Sequence, residues 1–164
     1  MHGSAVAGEW RIEKAGAADA AELMTLQRAC WAQEAVANDT LGLPALHESL
    51  DDVAAAIAAK HVWVVRVAGR LVGSVQAVAD GQTWEIGRLM VAPDLQGRGL
   101  GRVLLEHAEA ARPSDATAYR LFTGAASEAN LRRYKRAGYR VVGSDERYGI
   151  PGVELGKPVR RSRR

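Results

Sequence analysis

Apolar residues recur at helical spacing after Asp19, at Leu23, Leu26, Cys30 and Trp31 with Gln27 on the same stripe, and predict a first helix. Asp19 stands at its N-cap, and Glu22 three residues on completes a capping-box pattern. Residues 38–48, interrupted by Gly42 and Pro44, read as a loop. Ser49 then caps a second helix that runs through Ala59, with Val53 and Ile57 on one face.

From His61 the period changes from helical to β. Residues 61–67, 71–79 and 83–91 are short runs joined across Gly69 and Gly81, the pattern of an antiparallel meander. Pro93 cannot donate to a sheet ladder, so the third run ends close to it. A glycine-rich turn at 96–101 opens into the stripe Leu100, Val103, Leu104, Ala108 and Ala111 of a third helix, which stops before Pro113. A fourth strand follows at 119–123, and then a fourth helix capped by Ser127 and closed by Gly138. Two last strands, 139–142 and 153–159, flank a loop at 143–152. The order ααβββαβαββ, without repeat or linker, predicts one α/β domain over residues 1–164 with a mixed sheet.

Composition narrows the class. With 164 residues, 48% hydrophobic and 25% charged, the chain suits a single core and excludes a disordered chain or a disulfide scaffold. Cys30 is the only cysteine, the first ten residues lack a basic start followed by an apolar run, and no stretch approaches the roughly 18 to 20 apolar residues of a membrane span. A cytoplasmic protein without membrane contact is the expectation. Charge is uneven: residues 1–87 carry 6 Lys and Arg against 11 Asp and Glu, residues 88–156 carry 11 against 8, and residues 157–164 carry 5 against none. The acidic front suits a cationic partner and the basic middle an anion. The tail Arg160, Arg161, Arg163 and Arg164 has no interleaved aromatic residues, so it reads as a solvated, disordered chain end and gives no case for nucleic-acid binding.

The strongest chemical signal is the run Gln96-Gly97-Arg98-Gly99-Leu100-Gly101-Arg102, where a strand feeds through glycines into a helix. The first amides of a helix lack intrahelical acceptors and the helix dipole favours negative charge there, so such a turn holds an anion. Arg98 and Arg102 add charge, and a diphosphate is the expected guest. The spacing G-x-G-x-G completes neither the dinucleotide-binding fingerprint nor the P-loop.

Gln96, Gly99 and Gly101 fill the pattern [QR]-x-x-G-x-[GA] after a strand ending at Val91-Ala-Pro, and here the sequence resembles the GCN5-related N-acetyltransferase (GNAT) family. Asn130, Tyr134, Gly138 and Tyr139 resemble the family's later motif, and Glu85 stands where many members place a catalytic glutamate. The specific likeness spans residues 85–139; the front third matches in architecture alone. The resemblance implies a mostly antiparallel mixed sheet with helices on both faces, splayed between the strands at 85–91 and 119–123 to admit acetyl-CoA, with no metal. It implies backbone pairing of Leu89, Met90 and Val91 with the pantetheine arm, a pyrophosphate held by residues 96–102, and a cofactor contact from Asn130.

The implied chemistry is direct transfer to a primary amine, most naturally of a small molecule. Glu85 would accept the amine's proton and Tyr134 would donate one to the departing sulfur. Glu85 reads equally as a solvated strand carboxylate; strict alternation would put it on one face with Gly87, Leu89 and Val91. His47 and His61 are alternative bases that read more simply as solvated or capping residues. Glu34, Asp39, Glu48, Asp51 and Asp52 read as solvated or first-turn carboxylates, with an acceptor site as the rival reading. A protein or peptide acetyltransferase and a non-catalytic acyl-CoA-binding module are the competing functions, and a homodimer is compatible with everything in the sequence.

Overall fold

The computed structural model describes residues 10–147 and 149–161. The first nine residues, read above for a leader, and the last three of the basic tail lie outside the described residues. The elements run β1 (Ile12–Lys14), α1 (Ala20–Ala37), α2 (Pro44–His47), α3 (Leu50–Ala59), β2 (His61–Val67), β3 (Arg70–Asp80), β4 (Thr83–Val91), α4 (Leu100–Ala110), β5 (Ala118–Gly124), α5 (Glu128–Arg136), β6 (Arg140–Arg147) and β7 (Ile150–Pro158). The strands form one sheet in the order β1-β2-β3-β4-β5-β7-β6. Every pairing is antiparallel except β4 with β5.

The predicted meander is β2 to β4, and its apolar residues are buried against helices. Val64, Val65, Val72 and Val75 are buried, and Trp84 is 1% exposed with its indole Nε1 donating to the Ala108 carbonyl of α4 at 2.8 Å. Leu100, Leu104, Leu105 and Ala108 are buried along α4; each leucine gains about 2 kcal/mol from leaving water. Gly73 of β3 lets α4 approach, because a Cβ there would stand 3.1 Å from both Leu100 Cδ2 and Leu104 Cδ1.

Three local readings are corrected. Asp19 holds the N-cap position of α1 but its side chain makes no cap bond there: its Oδ2 accepts from the Gly16 amide at 2.8 Å, and Asp19 and Glu22 both receive Arg66 of β2. Residues 38–48 contain the single turn α2, started by Pro44 at its first position, where no amide is needed. The predicted loop at 143–152 is mostly strand, since β6 and β7 pair from Arg140–Gly156 to Arg147–Ile150. β1 was not predicted; its three residues pair with Trp63, Val64 and Val65 of β2. Two caps are as read. Ser49 and Asp52 bond each other's backbone amides at 3.1 and 2.8 Å, and Gly138 follows α5 with φ 96°.

Candidate active site

β4 and β5 pair over three residues only, Thr83–Ala118, Trp84–Tyr119 and Glu85–Arg120, and then part. The reason is local to β4. Met90 stands opposite Ser74 and Gly87 opposite Gln76, so β4 has one residue more than β3 between them, a β-bulge at Arg88 and Leu89. Beyond Glu85 the other edge of β4 has no strand partner among the described residues. A cavity of about 680 Å³ fills the parting, walled by β4, β5, α1 and α5.

The bulge changes which residues share a face. Ser74 and Gln76 alternate on one side of β3, so Met90 joins Glu85 and Gly87 on that side. Val91 stands opposite Gly73, on the α4 side. The expected common face of Glu85 and Val91 is therefore overturned. Glu85 is exposed in the cavity wall at the last paired rung, beside Arg120, whose Nη1 lies 3.6 Å from Glu154 Oε2.

Ala92 N–H bonds the Val72 carbonyl of β3 at 2.8 Å, so the preceding carbonyl, that of Val91, faces the parting. The Cys30 thiol and the Gln96 amide both donate to it, at 3.3 and 3.2 Å. Burial pushes the Cys30 thiol up to about 11, so it stays protonated and can donate. Gln96 also bonds Gln33 of α1 at 3.0 Å, so its side chain braces the turn against α1.

Beyond Gln96 the turn is built by left-handed backbone. Gly97 and Gly99 have φ of 80° and 86°, and a Cβ on either would meet nothing within 4 Å. The space beside both glycines, next to the first turn of α4, is therefore open. A Cβ on Gly101 would stand 3.2 Å from Nη1 of Arg133, which brings a guanidinium from α5 to the start of α4. Arg98 is exposed on the turn, Arg102 pairs with Glu106 at 2.9 Å on the outer face of α4, and the Leu100 side chain is core.

Tyr134 is buried on α5, edge-on to Tyr139 with ring centroids 6.2 Å apart, and also lines the cavity. Burial above all pushes its phenol up to about 12; Glu34 adds to this and Arg133 opposes it. Asn130 lies one turn earlier and donates to Glu34 Oε1 at 3.1 Å and to Thr123 Oγ1 at 3.5 Å. Ser127 does not cap α5 with its side chain; its hydroxyl donates to the other oxygen of Glu34. Asn38 adds a bond to Ser127 Oγ at 3.2 Å, so the end of α1 is tied to the start of α5.

Ser127, Cys30 and Arg133 line the cavity without having been read as site residues, and Glu34 lines it although an acceptor site was only its rival reading. Their partners lie far along the chain, and Arg133 is masked among Arg132, Lys135 and Arg136. The solvated reading holds for Asp51 and for Asp52 in its cap; it fails for Glu34 and for Glu48, which meets Arg88 of β4. His47 bonds the Leu41 carbonyl, and His61 packs near Trp63 and Trp84; neither lines the cavity. Among the described residues no group of three His, Cys, Asp or Glu could hold a metal, and no helix is long and apolar enough to cross a membrane.

Comparison with known proteins bears on this cleft. Residues 58–141 match the acetyltransferase (GNAT) domain family. No curated protein sequence matches the chain. Among solved structures, the PaiA N-acetyltransferase from Thermoplasma acidophilum, in complex with coenzyme A, superposes with a TM-score of 0.80 at 16% identity, over 92% of this chain and 99% of that one. YncA of Salmonella typhimurium, a putative acetyltransferase with its cofactor acetyl-CoA, gives 0.72 at 19% identity, over 96% and 98%. The ribosomal-protein-alanine N-acetyltransferase from Brucella melitensis gives 0.70 at 19%, over 91% and 99%. At these identities the likeness is one of fold.

Proposed function

The chain belongs to the GNAT acetyltransferase family, and from that premise we propose that it transfers the acetyl group of acetyl-CoA to a primary amine of a small molecule in the cytoplasm. One observation carries the reading: the open edge of β4 leads directly into the glycine cradle at the start of α4. An extended pantetheine arm can pair with such an edge as an added strand, and a pyrophosphate fits the open space at Gly97 and Gly99 beside Arg133. The PaiA structure with coenzyme A and the YncA structure with acetyl-CoA support that assignment.

Bound there, acetyl-CoA supplies an activated acyl group: a C–N bond forms as the C–S bond breaks, the amine loses a proton and the sulfur gains one. The chain's residues serve these demands. Glu85, exposed in the wall, accepts the amine's proton directly or through water. Tyr134, kept neutral by burial, has a proton to give the thiolate. A backbone amide near Leu89 faces the charge that builds on the carbonyl oxygen.

A small acceptor is favoured by the front loop. Leu43, ahead of α2, packs with Ala35 of α1 and Ile150 of β7, with Trp31 and Leu46 against them. A front loop packed against α1 and β7 supports a narrow acceptor side, where a peptide would need an open groove.

Free-thiol release from acetyl-CoA across amines, amino acids and peptides tests the proposal. Turnover of a small amine is expected; turnover of peptides alone would replace it with the peptide reading. Acetyl-CoA binding with no turnover would leave a non-catalytic binding module. Tyr134→Phe is expected to lower kcat by about a hundredfold with acetyl-CoA affinity retained, and equal rates would remove Tyr134 as the acid.

A further inference from the structure

β4 owes its bulge to a strained residue. Arg88 has φ 49°, in the left-handed region, and a residue with a side chain stays there only where its surroundings hold it. The Arg88 side chain shows what does so. Its guanidinium lies over the Trp31 ring, 5.1 Å from the centroid, and meets Glu48 with Nη1 3.2 Å from Oε1 and Nη2 3.3 Å from Oε2. Glu48 is gripped in turn by Gln27, whose Nε2 donates to Glu48 Oε1 at 2.9 Å and to the Ala45 carbonyl at 3.0 Å.

Gln27 and Trp31 are one turn apart on α1, and Glu48 ends α2. In a regular β4, Arg88 would follow Trp84 and Ile86 toward α4, where a charge would be buried in apolar core. The bulge instead turns it to the α1 side, where a carboxylate and an aromatic face receive it. The contacts that hold the distortion thus come from the front third of the chain, which no motif covers.

We infer that Glu48 and Trp31 are positioning residues that grip Arg88, fix the β4 bulge and so aim the backbone amides near Leu89 into the cleft. The rate effect rests on the acetyl transfer proposed above, because a misaimed donor loses its hold on the carbonyl oxygen. Glycine adopts a left-handed φ without strain. A residue that serves only to hold backbone is therefore replaced better by Gly than by Ala.

The test uses the full chain in five forms: wild type, Glu48→Gln, Arg88→Ala, Arg88→Gly, and Glu48→Gln with Arg88→Gly. For the best amine of the panel, Glu48→Gln and Arg88→Ala are each expected to lose roughly tenfold in kcat, with KM for the amine and Kd for acetyl-CoA unchanged. Arg88→Gly is expected to recover most of the rate lost in Arg88→Ala, and Glu48→Gln to add nothing in the Arg88→Gly background. Equal losses in Arg88→Ala and Arg88→Gly with a raised amine KM would overturn the inference, since Arg88 would then act on the acceptor. Wild-type rates in Glu48→Gln would overturn it too. Amide hydrogen exchange at residues 87–90 reads the clamp independently of activity: faster in Glu48→Gln and Arg88→Ala, restored in Arg88→Gly. If wild type turns over no amine, the transfer proposal fails while the exchange pattern still decides the clamp.

Discussion

At the scale of single residues, the cleft works through protonation states that burial and hydrogen bonds set. Tyr134 has its phenol pushed up to about 12 by burial, so it stays a donor throughout the range in which enzymes are assayed. The rate is therefore expected to rise with pH as the amine loses its proton and to show no downturn near pH 10, where an ordinary phenol ionises; a pH–kcat profile with a chemically stable amine checks this. Asp19 illustrates the opposite sign. The Gly16 amide first, and then Arg66, hold its carboxyl below the ordinary value of 3.8. A carboxylate depressed by folding contributes stability that is present in full above that value and is lost as pH falls through the lower folded one. Asp19→Asn is thus expected to lower the urea midpoint at pH 7, and the gap to wild type should close as pH falls through that lowered value. Sequence alone showed Asp19 and Glu22 as a cap pair because their spacing fits a helix start. Arg66, 44 residues beyond Glu22, takes them instead, and no local pattern contains that partner.

At the scale of elements, the apolar period located nearly every helix and strand, because burial against one sheet is what those periods encode. It failed where pairing, not burial, makes the element. β1 is three residues long with two of them exposed, and the hairpin of β6 and β7 carries Gly143, Gly149, Pro151 and Gly152 inside a run that reads as loop. The glycine turn and α4 were legible because the cradle is contiguous in sequence. The α1 end of the cleft was not, since Glu34 and Cys30 reach Ser127 and Val91 across 93 and 61 residues. Packing of α4 on β3 sets where the cradle sits, which makes Gly73 a test at this scale. Gly73→Val would press into Leu100 and Leu104, and should cost about 1 to 3 kcal/mol in denaturant unfolding. It should also weaken acetyl-CoA binding by displacing the start of α4. Gly99→Glu is expected to remove that binding; its Cβ meets nothing within 4 Å, so the stability cost is about 1 to 2 kcal/mol from its left-handed φ, and isothermal titration beside a thermal melt separates the two effects.

At the scale of the whole molecule, the uneven charge has become local. The basic middle contributes Arg133 beside the start of α4, and the acidic front contributes Glu34 to the cleft wall and Glu48 as the partner of Arg88. Removing residues 160–164 takes away four arginines and is expected to leave acetyl-CoA affinity unchanged by titration, because none of them lines the cavity among the described residues. The parting of β4 from β5 has a further cost. It leaves a stretch of β4 at the centre of the sheet with no strand beside it among the described residues, near apolar Leu89, Met90 and Leu121, and such an edge is a template for another chain. Cofactor seated along that edge would deny it to strangers. Preparations stripped of acetyl-CoA should therefore scatter light sooner on warm storage than preparations kept saturated with it, so that the co-substrate also governs how long the enzyme stays dispersed.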